Sequence, residues 1–401
     1  MEATTHSLGR FKKYPRPLEE DYKKYIKGHE NSQKNFEENI SNNNIEESPS
    51  NCWERDVKRI INSLSFRRLQ YKTQVFLNPS GDHYSDRMRH TLSVMNISTQ
   101  IAKKYNFNID LTKAIALAHD IGHSPYGHAG ERAINDLLKK HSNRKLFFNH
   151  TVQGARMLLY LEYDSRYALL LEERENEEYG IGPTLEVING ILNHSNTYNQ
   201  KIEKNIEVDR WKKLEEIVGK PVKNITIEGE CVRISDKVSQ CIHDLADAKQ
   251  SNYINKNDLV NEIFEPKKSF SQFGEELEDY FIDNVVVDGK LLKLTEEGNE
   301  KIKQYKSLME RRVYGRSEII KADNRGYNVI SKIFNYLIEE EDILEKIRNG
   351  EEKYKKKHLI HRNIFEQKWL YGFEDWSRIV ANYIASMTDR YLDNLYNDLF
   401  Y

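Results

Sequence analysis

"LAHDIGHSPYGHAGERAIN", residues 117 to 135, holds His119, His123, His128, Asp120 and Glu131 in a stretch that reads as helix, break and helix. His119 and Asp120 are adjacent, so on a helix their side chains point about 100° apart. One ion can still meet both from over the edge between them, near the helix end, provided other parts of the chain complete its shell. The alternative is a polar surface, since a lone helical histidine more often caps or hydrogen-bonds than ligates.

Working outward, apolar residues recur at helical spacing on both sides. "IDLTKAIALAHDIGH" (109–123) leads into the motif, with Asp110 expected as its N-cap and Gly122 as its stop. "MRHTLSVMNISTQIAKKY" (88–105) offers a buried stripe of Met88, Leu92, Met95, Ile97 and Ile101. Further helices fit "HAGERAINDLLKK", "NHTVQGARMLLYLEY", "PTLEVINGILNHS", "GECVRISDKVSQCIHDLADA" and a long run from about 298 to 338. One stretch leaves the helical period: "NVVVDGKLLKL" (about 284–294) sets Asp288-Gly289 between β-branched and leucine-rich runs, a hairpin signal. The expected fold class is therefore all-α with a small β-hairpin. No repeat period and no Gly-rich phosphate loop occurs, so a nucleotide site would have to be built from side chains.

The chain of 401 residues, 38% hydrophobic and 31% charged, can bury a large core while keeping its charge on solvated faces. Residues 1–52 are polar, without an apolar stripe, and read as an arm; residues 53–340 read as the core and 341–401 as a helical segment packed on it. No membrane span and no export signal is visible, so cytoplasm is the expected location. Cys52, Cys231 and Cys241 form no CxxC, which excludes a thiolate zinc site and a disulfide framework. A net charge of -2 gives no global basic field. Locally, Arg55, Lys58, Arg59, Arg67, Arg68 and Lys72 cluster, either as a solvated helix face or as a rim for phosphate.

Two further residues suit the ion at His119 and Asp120. His90 lies on an otherwise apolar helix, where an unpaired imidazole is costly, and Asp236 of "RISDKVSQ" is a charge inside an apolar stripe. Two imidazoles and two carboxylates suit a borderline-to-hard divalent metal: Mn, Fe, Zn or Mg.

The spacing H…HD…D resembles that of the HD superfamily of metal-dependent phosphohydrolases. "INSLSFRRLQYKTQVF", "GDHYSDRMRHTLSV", "LAHDIGHSPYGHAGERAIN", "FNHTVQGARML" and "VINGILNHS" follow the order and spacing of its deoxynucleoside triphosphate triphosphohydrolases, the dGTPase-like family. The similarity runs from about Trp53 to about Leu337. It implies an HD-domain helical phosphohydrolase fold and hydrolysis of a dNTP to deoxynucleoside and tripolyphosphate.

The resemblance also assigns residues. His90, His119, Asp120 and Asp236 stand at metal-ligand positions. His128 and Glu131, three apart and so on one helix face, stand at the catalytic pair, with His150 as a second active-site histidine. His123, Arg87, Lys237 and Arg311 would face or grip phosphate, and a triphosphate brings about four negative charges to be met. Gln74 and Asp244 would read the sugar, Asp244 by accepting from the 3′ hydroxyl, and Tyr314 would pack near base or sugar unless it is a core tyrosine. Gln240 replaces the tyrosine that many members carry three residues after the lysine, which puts the strictness of deoxy selection in doubt.

The competing expectations are an HD phosphohydrolase for another nucleotide and a catalytically silent sensor or nucleic-acid binder. Partners implied by the family are a homo-oligomer, tetramer or hexamer, and a nucleotide activator at a subunit interface. Weak single-stranded nucleic-acid binding is an added expectation from the basic 55–72 segment.

Overall fold

The structure is a computed structural model that describes residues 52–74, 85–143, 146–162, 181–195, 226–255, 257–258, 273–288, 291–339 and 375–401. The expected N-terminal arm thus lies almost wholly outside the described residues. In chain order the helices are α1 (Cys52–Asn62), α2 (Leu64–Arg68), α3 (Arg87–Tyr105), α4 (Ile109–Ala118), α5 (Gly127–His141), α6 (His150–Arg156) and α7 (Leu185–Asn193). There follow α8 (Ile227–Gln250), α9 (Phe273–Asp283), α10 (Glu296–Met309), α11 (Ser317–Glu339), α12 (Trp376–Ala385) and α13 (Asp389–Phe400). Strands β1 (Val285–Asp288) and β2 (Leu291–Leu294) form an antiparallel hairpin in which Val285 pairs with Leu294 and Asp288 with Leu291. The expected all-α class with one hairpin holds. Asp288 is a strand residue rather than part of the turn, while residues 289 and 290 lie outside the described ones.

Three apolar clusters hold these elements. The first joins α1, α4, α6 and α7 through Trp53, Ile60, Leu111, Leu117, Val152 and Ile188. The second joins α3, α8, α9, the hairpin and α10, with Ile101, Ile234, Phe281, Leu292 and Leu308. The third joins α5, α11, α12 and α13, with Ile134, Phe334, Ile379 and Leu392. Burial of side chains of this size stabilises by about 1.5–3 kcal/mol each before the entropy of ordering is deducted. Helix α8 lies along α3, and both run beside α4, so the three elements expected to carry metal ligands are mutual neighbours. No helix among the described residues is long and apolar enough to cross a membrane.

Local chemistry departs from the sequence expectation at four places. Asn108, not Asp110, caps α4: its side chain accepts from Leu111 N, and Asp110 lies in the first turn. The α4 helix ends at Ala118, so His119 to Gly122 form a turn and Gly122 is not the stop. Leu92 faces outward at 45% exposure, because the buried face of α3 is completed by His90, Thr91 and Val94 around the site. The long run from 298 to 338 is two helices separated by a π-helical turn, Glu310–Tyr314, which ends at Gly315.

The basic 55–72 segment does not form one exposed face. Arg68 pairs with Glu162, Arg59 donates to Gly182 O at 3.1 Å, and Lys72 is buried with its Nζ donating to His123 O and, at 2.8 Å, to Ala385 O. Burial pulls Lys72 down to about 7, with the Arg68 guanidinium next in effect.

Candidate active site

The His119–Asp120 turn leaves α4 with both side chains buried. His119 Nδ1 lies 2.7 Å from Ala116 O and can only donate there, so Nε2 carries the free lone pair. That Nε2 is buried and has no hydrogen-bond partner. It lies 3.4 Å from Asp120 Oδ1 and 3.8 Å from Asp236 Oδ1. His90 arrives from α3 with Nε2 at 3.0 Å from Asp236 Oδ1 and 3.8 Å from Asp120 Oδ2, while Ser239 Oγ sits 3.2 Å from its Nδ1. Ligand atoms on one ion at bonds of roughly 2.1 Å stand roughly 3–4 Å apart. His90, His119 and Asp120 therefore have the spacing that a divalent metal needs, Asp236 stands within 4 Å of both imidazoles, and the four make a borderline-to-hard donor set.

Electrostatics agree with that fit. Burial would lower His119, but the Asp120 and Asp236 carboxylates outweigh it and carry the imidazole up to about 9. Burial would raise Asp236 and Asp120, yet the neighbouring imidazoles, and Arg87 beside Asp120, hold both well below the usual carboxylate range. A pocket that binds protons this strongly to an imidazole is one that attracts a cation.

A second group of possible donors, His123, Glu131 and His150, lies alongside. The rings of His123 and His150 stack at 3.9 Å with 14° between planes. Rings so nearly parallel cannot both aim in-plane lone pairs at one ion, and Glu131 is already engaged. Its carboxylate accepts from His150 N and lies 3.0 and 3.1 Å from His150 Nδ1, with His128 Nδ1 at 3.7 Å. Burial would raise Glu131, but His150 first and then His128 hold it well below its ordinary range. The sequence paired Glu131 with His128; its shorter contacts are to His150, and His128 stands at 61% side-chain exposure on the first turn of α5. Backbone geometry sets this up. Tyr126 adopts φ 58 and Gly127 φ 54, turning the chain sharply into α5, and Gly122 lies so close to α6 that a Cβ there would meet Gly154 N and His150 O at 2.1 Å.

The remaining expected residues gather unevenly. Arg87 is buried and spends Nη1 on Asp120 Oδ2 at 2.8 Å. Gln74 is buried nearby, its backbone carbonyl and Arg87 Nη2 both flanking Gly127. His123 is buried and held well below its ordinary range, chiefly by burial and then by Arg87, with Nε2 3.2 Å from Asp120 Oδ1. Lys237 is lowered by burial and by Arg233 and Lys306, so several cations gather on that side of α8; Gln240 is half-buried one turn on. Asp244 Oδ2 accepts from Tyr305 OH at 2.5 Å and Tyr314 OH at 3.0 Å, and Oδ1 is buried with no partner among the described residues. Burial lifts Asp244 to about 6. Arg311 is exposed on the π turn, donating to Ser307.

Sequence reasoning missed Tyr305, His194 and His243. His194 follows α7 as His119 follows α4, its Nδ1 2.7 Å from Ile191 O, and burial holds it down to about 4. The signal was present in "GILNHS", an apolar helical run ending in histidine, parallel to "IALAHD". His243 stands edge-on to His90 at 5.9 Å, two turns beyond Asp236 on α8.

Comparison with known proteins shows the family. Residues 87–240 match the HD domain and residues 292–398 the phosphohydrolase-associated domain. A deoxyguanosinetriphosphate triphosphohydrolase-like protein of Rickettsia felis is 31% identical over 385 residues, covering 87% of this chain and 91% of the relative. The chain belongs to the HD-domain, deoxyguanosinetriphosphate triphosphohydrolase-like family. A member from Caldanaerobacter subterraneus subsp. tengcongensis is 34% identical over 357 residues, covering 87% of this chain and 84% of its own. A solved structure, titled a hypothetical protein from Aquifex aeolicus, matches at 16% identity with a TM-score of 0.38, over 85% of this chain and 67% of that one. The HD domain as matched runs from Arg87 to Gln240, and so contains all four expected ligands and the His128, Glu131 and His150 group.

Proposed function

We propose that this HD-domain hydrolase is a metal-dependent dNTP triphosphohydrolase that cleaves a dNTP to a deoxynucleoside and tripolyphosphate. The observation that carries the reading is the buried group of His90, His119 and Asp120, with the half-buried Asp236 3.0 Å from His90, beside His128, Glu131 and His150, in a chain of this family. A divalent ion (Mn, Mg, Fe or Zn) held by those four residues supplies Lewis-acid polarisation of phosphate and water.

The protein's own groups do the rest. Arg87, Lys237 and His123 meet the phosphates, with Arg311 at the rim, and donors aimed at developing phosphoryl charge stabilise the transition state. His128, exposed at the mouth, donates a proton to the departing 5′ oxygen, and the Glu131 carboxylate stabilises the imidazolium while it holds His150 in place. Asp244 accepts from the 3′ hydroxyl on its unpartnered Oδ1, Gln74 meets the sugar, and Tyr314 closes that edge. Gln240 donates where a tyrosine is usual, so deoxy selection is relaxed relative to tyrosine-bearing members. The core spans 53–340 with 341–401 as its helical complement, in a cytoplasmic homo-oligomer whose activator nucleotide sits between subunits.

The test is chromatography of products after incubation with each dNTP and with GTP, singly and mixed, with Mn or Mg. Deoxynucleoside and tripolyphosphate, suppressed by chelator, are the expected products. Release of orthophosphate or pyrophosphate, or no product from metal-loaded protein in any mixture, would overturn the reading.

A further inference from the structure

The observation concerns His194, which no contact in the proposed reaction uses. It is buried, follows α7, and donates from Nδ1 to Ile191 O at 2.7 Å, so its Nε2 lone pair is free. That Nε2 faces Asp120 Oδ1 at 3.9 Å, two acceptors opposed across a gap that only a donor or a cation makes favourable. The imidazole stands edge-on to His119 with centroids 5.0 Å apart.

The same polarity recurs three times. His119 commits Nδ1 to Ala116 O, His194 commits Nδ1 to Ile191 O, and His90 has Ser239 Oγ at its Nδ1. In His119 and His194 a carbonyl fixes the tautomer, in His90 a hydroxyl sits at Nδ1, and in all three rings Nε2 lies toward Asp120 or Asp236, the arrangement that metal-ligating histidines show. The His194 separation of 3.9 Å continues the series of 3.0, 3.4 and 3.8 Å that joins the other imidazoles to these carboxylates.

We propose that His194 is a further donor of the metal centre, giving it three imidazoles and two carboxylates. A third imidazole moves the site's preference from Mg toward first-row transition ions, because nitrogen donors suit Mn, Fe, Co and Zn better than they suit a hard ion that retains water. The inference rests on the four-ligand reading above but not on the substrate, and its test contains no nucleotide.

The full chain is loaded with Co²⁺ and the exchangeable imidazole N–H protons shifted by the paramagnetic ion are counted by NMR. Three such protons, on the Nδ1 atoms of His90, His119 and His194, are expected. Two would overturn the proposal, and this count needs no variant. In parallel, chelator competition on His194→Ala and His194→Gln reads affinity. Each should bind Co²⁺ and Zn²⁺ at least ~10-fold more weakly, with Mg²⁺ affected less. Unchanged Co²⁺ affinity in a folded variant would assign His194 a packing role instead. Failure to hydrolyse any dNTP by a protein that shows three shifted protons would remove the substrate assignment and leave this one standing.

Discussion

At the scale of single residues, the division of labour between His119 and His128 is testable because the two differ in surroundings. His119 is buried with an unpartnered Nε2, and His128 is exposed beside a carboxylate. His119→Ala should lose metal and turnover together, whereas His128→Ala should keep full metal content and lose roughly 10²-fold or more in kcat. Mass spectrometry of bound metal beside steady-state rates checks both, and near-normal turnover of His128→Ala would end its assignment as proton donor. Glu228 gives a prediction about pH. It is fully buried, accepts from Asn108 N at 3.0 Å, and burial lifts it to about 7 from 4.5. A carboxyl raised in the folded state contributes stability that is fully present below pH 4.5 and lost as pH rises to about 7. Urea unfolding should show the wild type losing on the order of 3 kcal/mol across that window relative to Glu228→Gln, which keeps an acceptor but does not titrate. Parallel pH profiles would mean that Glu228 is not held neutral. The residues that the H…HD…D spacing singles out do lie together, because residue type and position coincide in the motif. His194 was not, since its role depends on a carbonyl three residues back and on a carboxylate 74 positions away in sequence.

At the scale of elements, periodicity gave most helices, and its misses have local causes. Asn108 outcompetes Asp110 as cap because its oxygen reaches Leu111 N, a contact that sequence spacing alone does not rank. The break at 310–316 is invisible to hydrophobic periodicity, since a π turn adds one residue without removing apolar content. Gly122 looked like a helix stop and acts instead as a point of contact between backbones, where α6 passes the turn that follows His119 and Asp120. Gly122→Ala should therefore destabilise by about 3 kcal/mol or more, since backbone rather than flexible side chain must move. It should also lower turnover by displacing His150 from His123. Thermal melting and kcat measured together check this, and a variant that melts like the wild type would show that α6 yields.

At the scale of the whole molecule, α12 and α13 are tied to the segments that flank the site. Asp389 accepts from Thr73 N at 3.0 Å, from Thr73 Oγ1 and from Tyr126 N at 3.0 Å, and Tyr126 OH donates to Asp393 at 2.9 Å. These bonds hold Tyr126 in a left-handed conformation that costs a non-glycine residue roughly 1–2 kcal/mol. Asp389→Ala leaves two N–H groups without their acceptor and should cost on the order of 3 kcal/mol. It should also lower kcat with metal affinity retained, because the turn it anchors leads to His128 rather than to His119. Calorimetry and chelator competition would decide it, and unchanged kcat would show that the turn stands alone. None of this brace was readable beforehand. A buried lysine at 72 and an aspartate at 389 look like surface charges until the chain brings them together. The brace also sets an order of events during synthesis. Every proposed donor has been added to the chain by residue 236, while Ala385, Asp389 and Asp393 are added some 150 residues later. The last part of the chain to be made thus supplies the acceptor that fixes the turn ahead of His128, so the acid–base side of the site is completed after the side that carries the proposed metal donors.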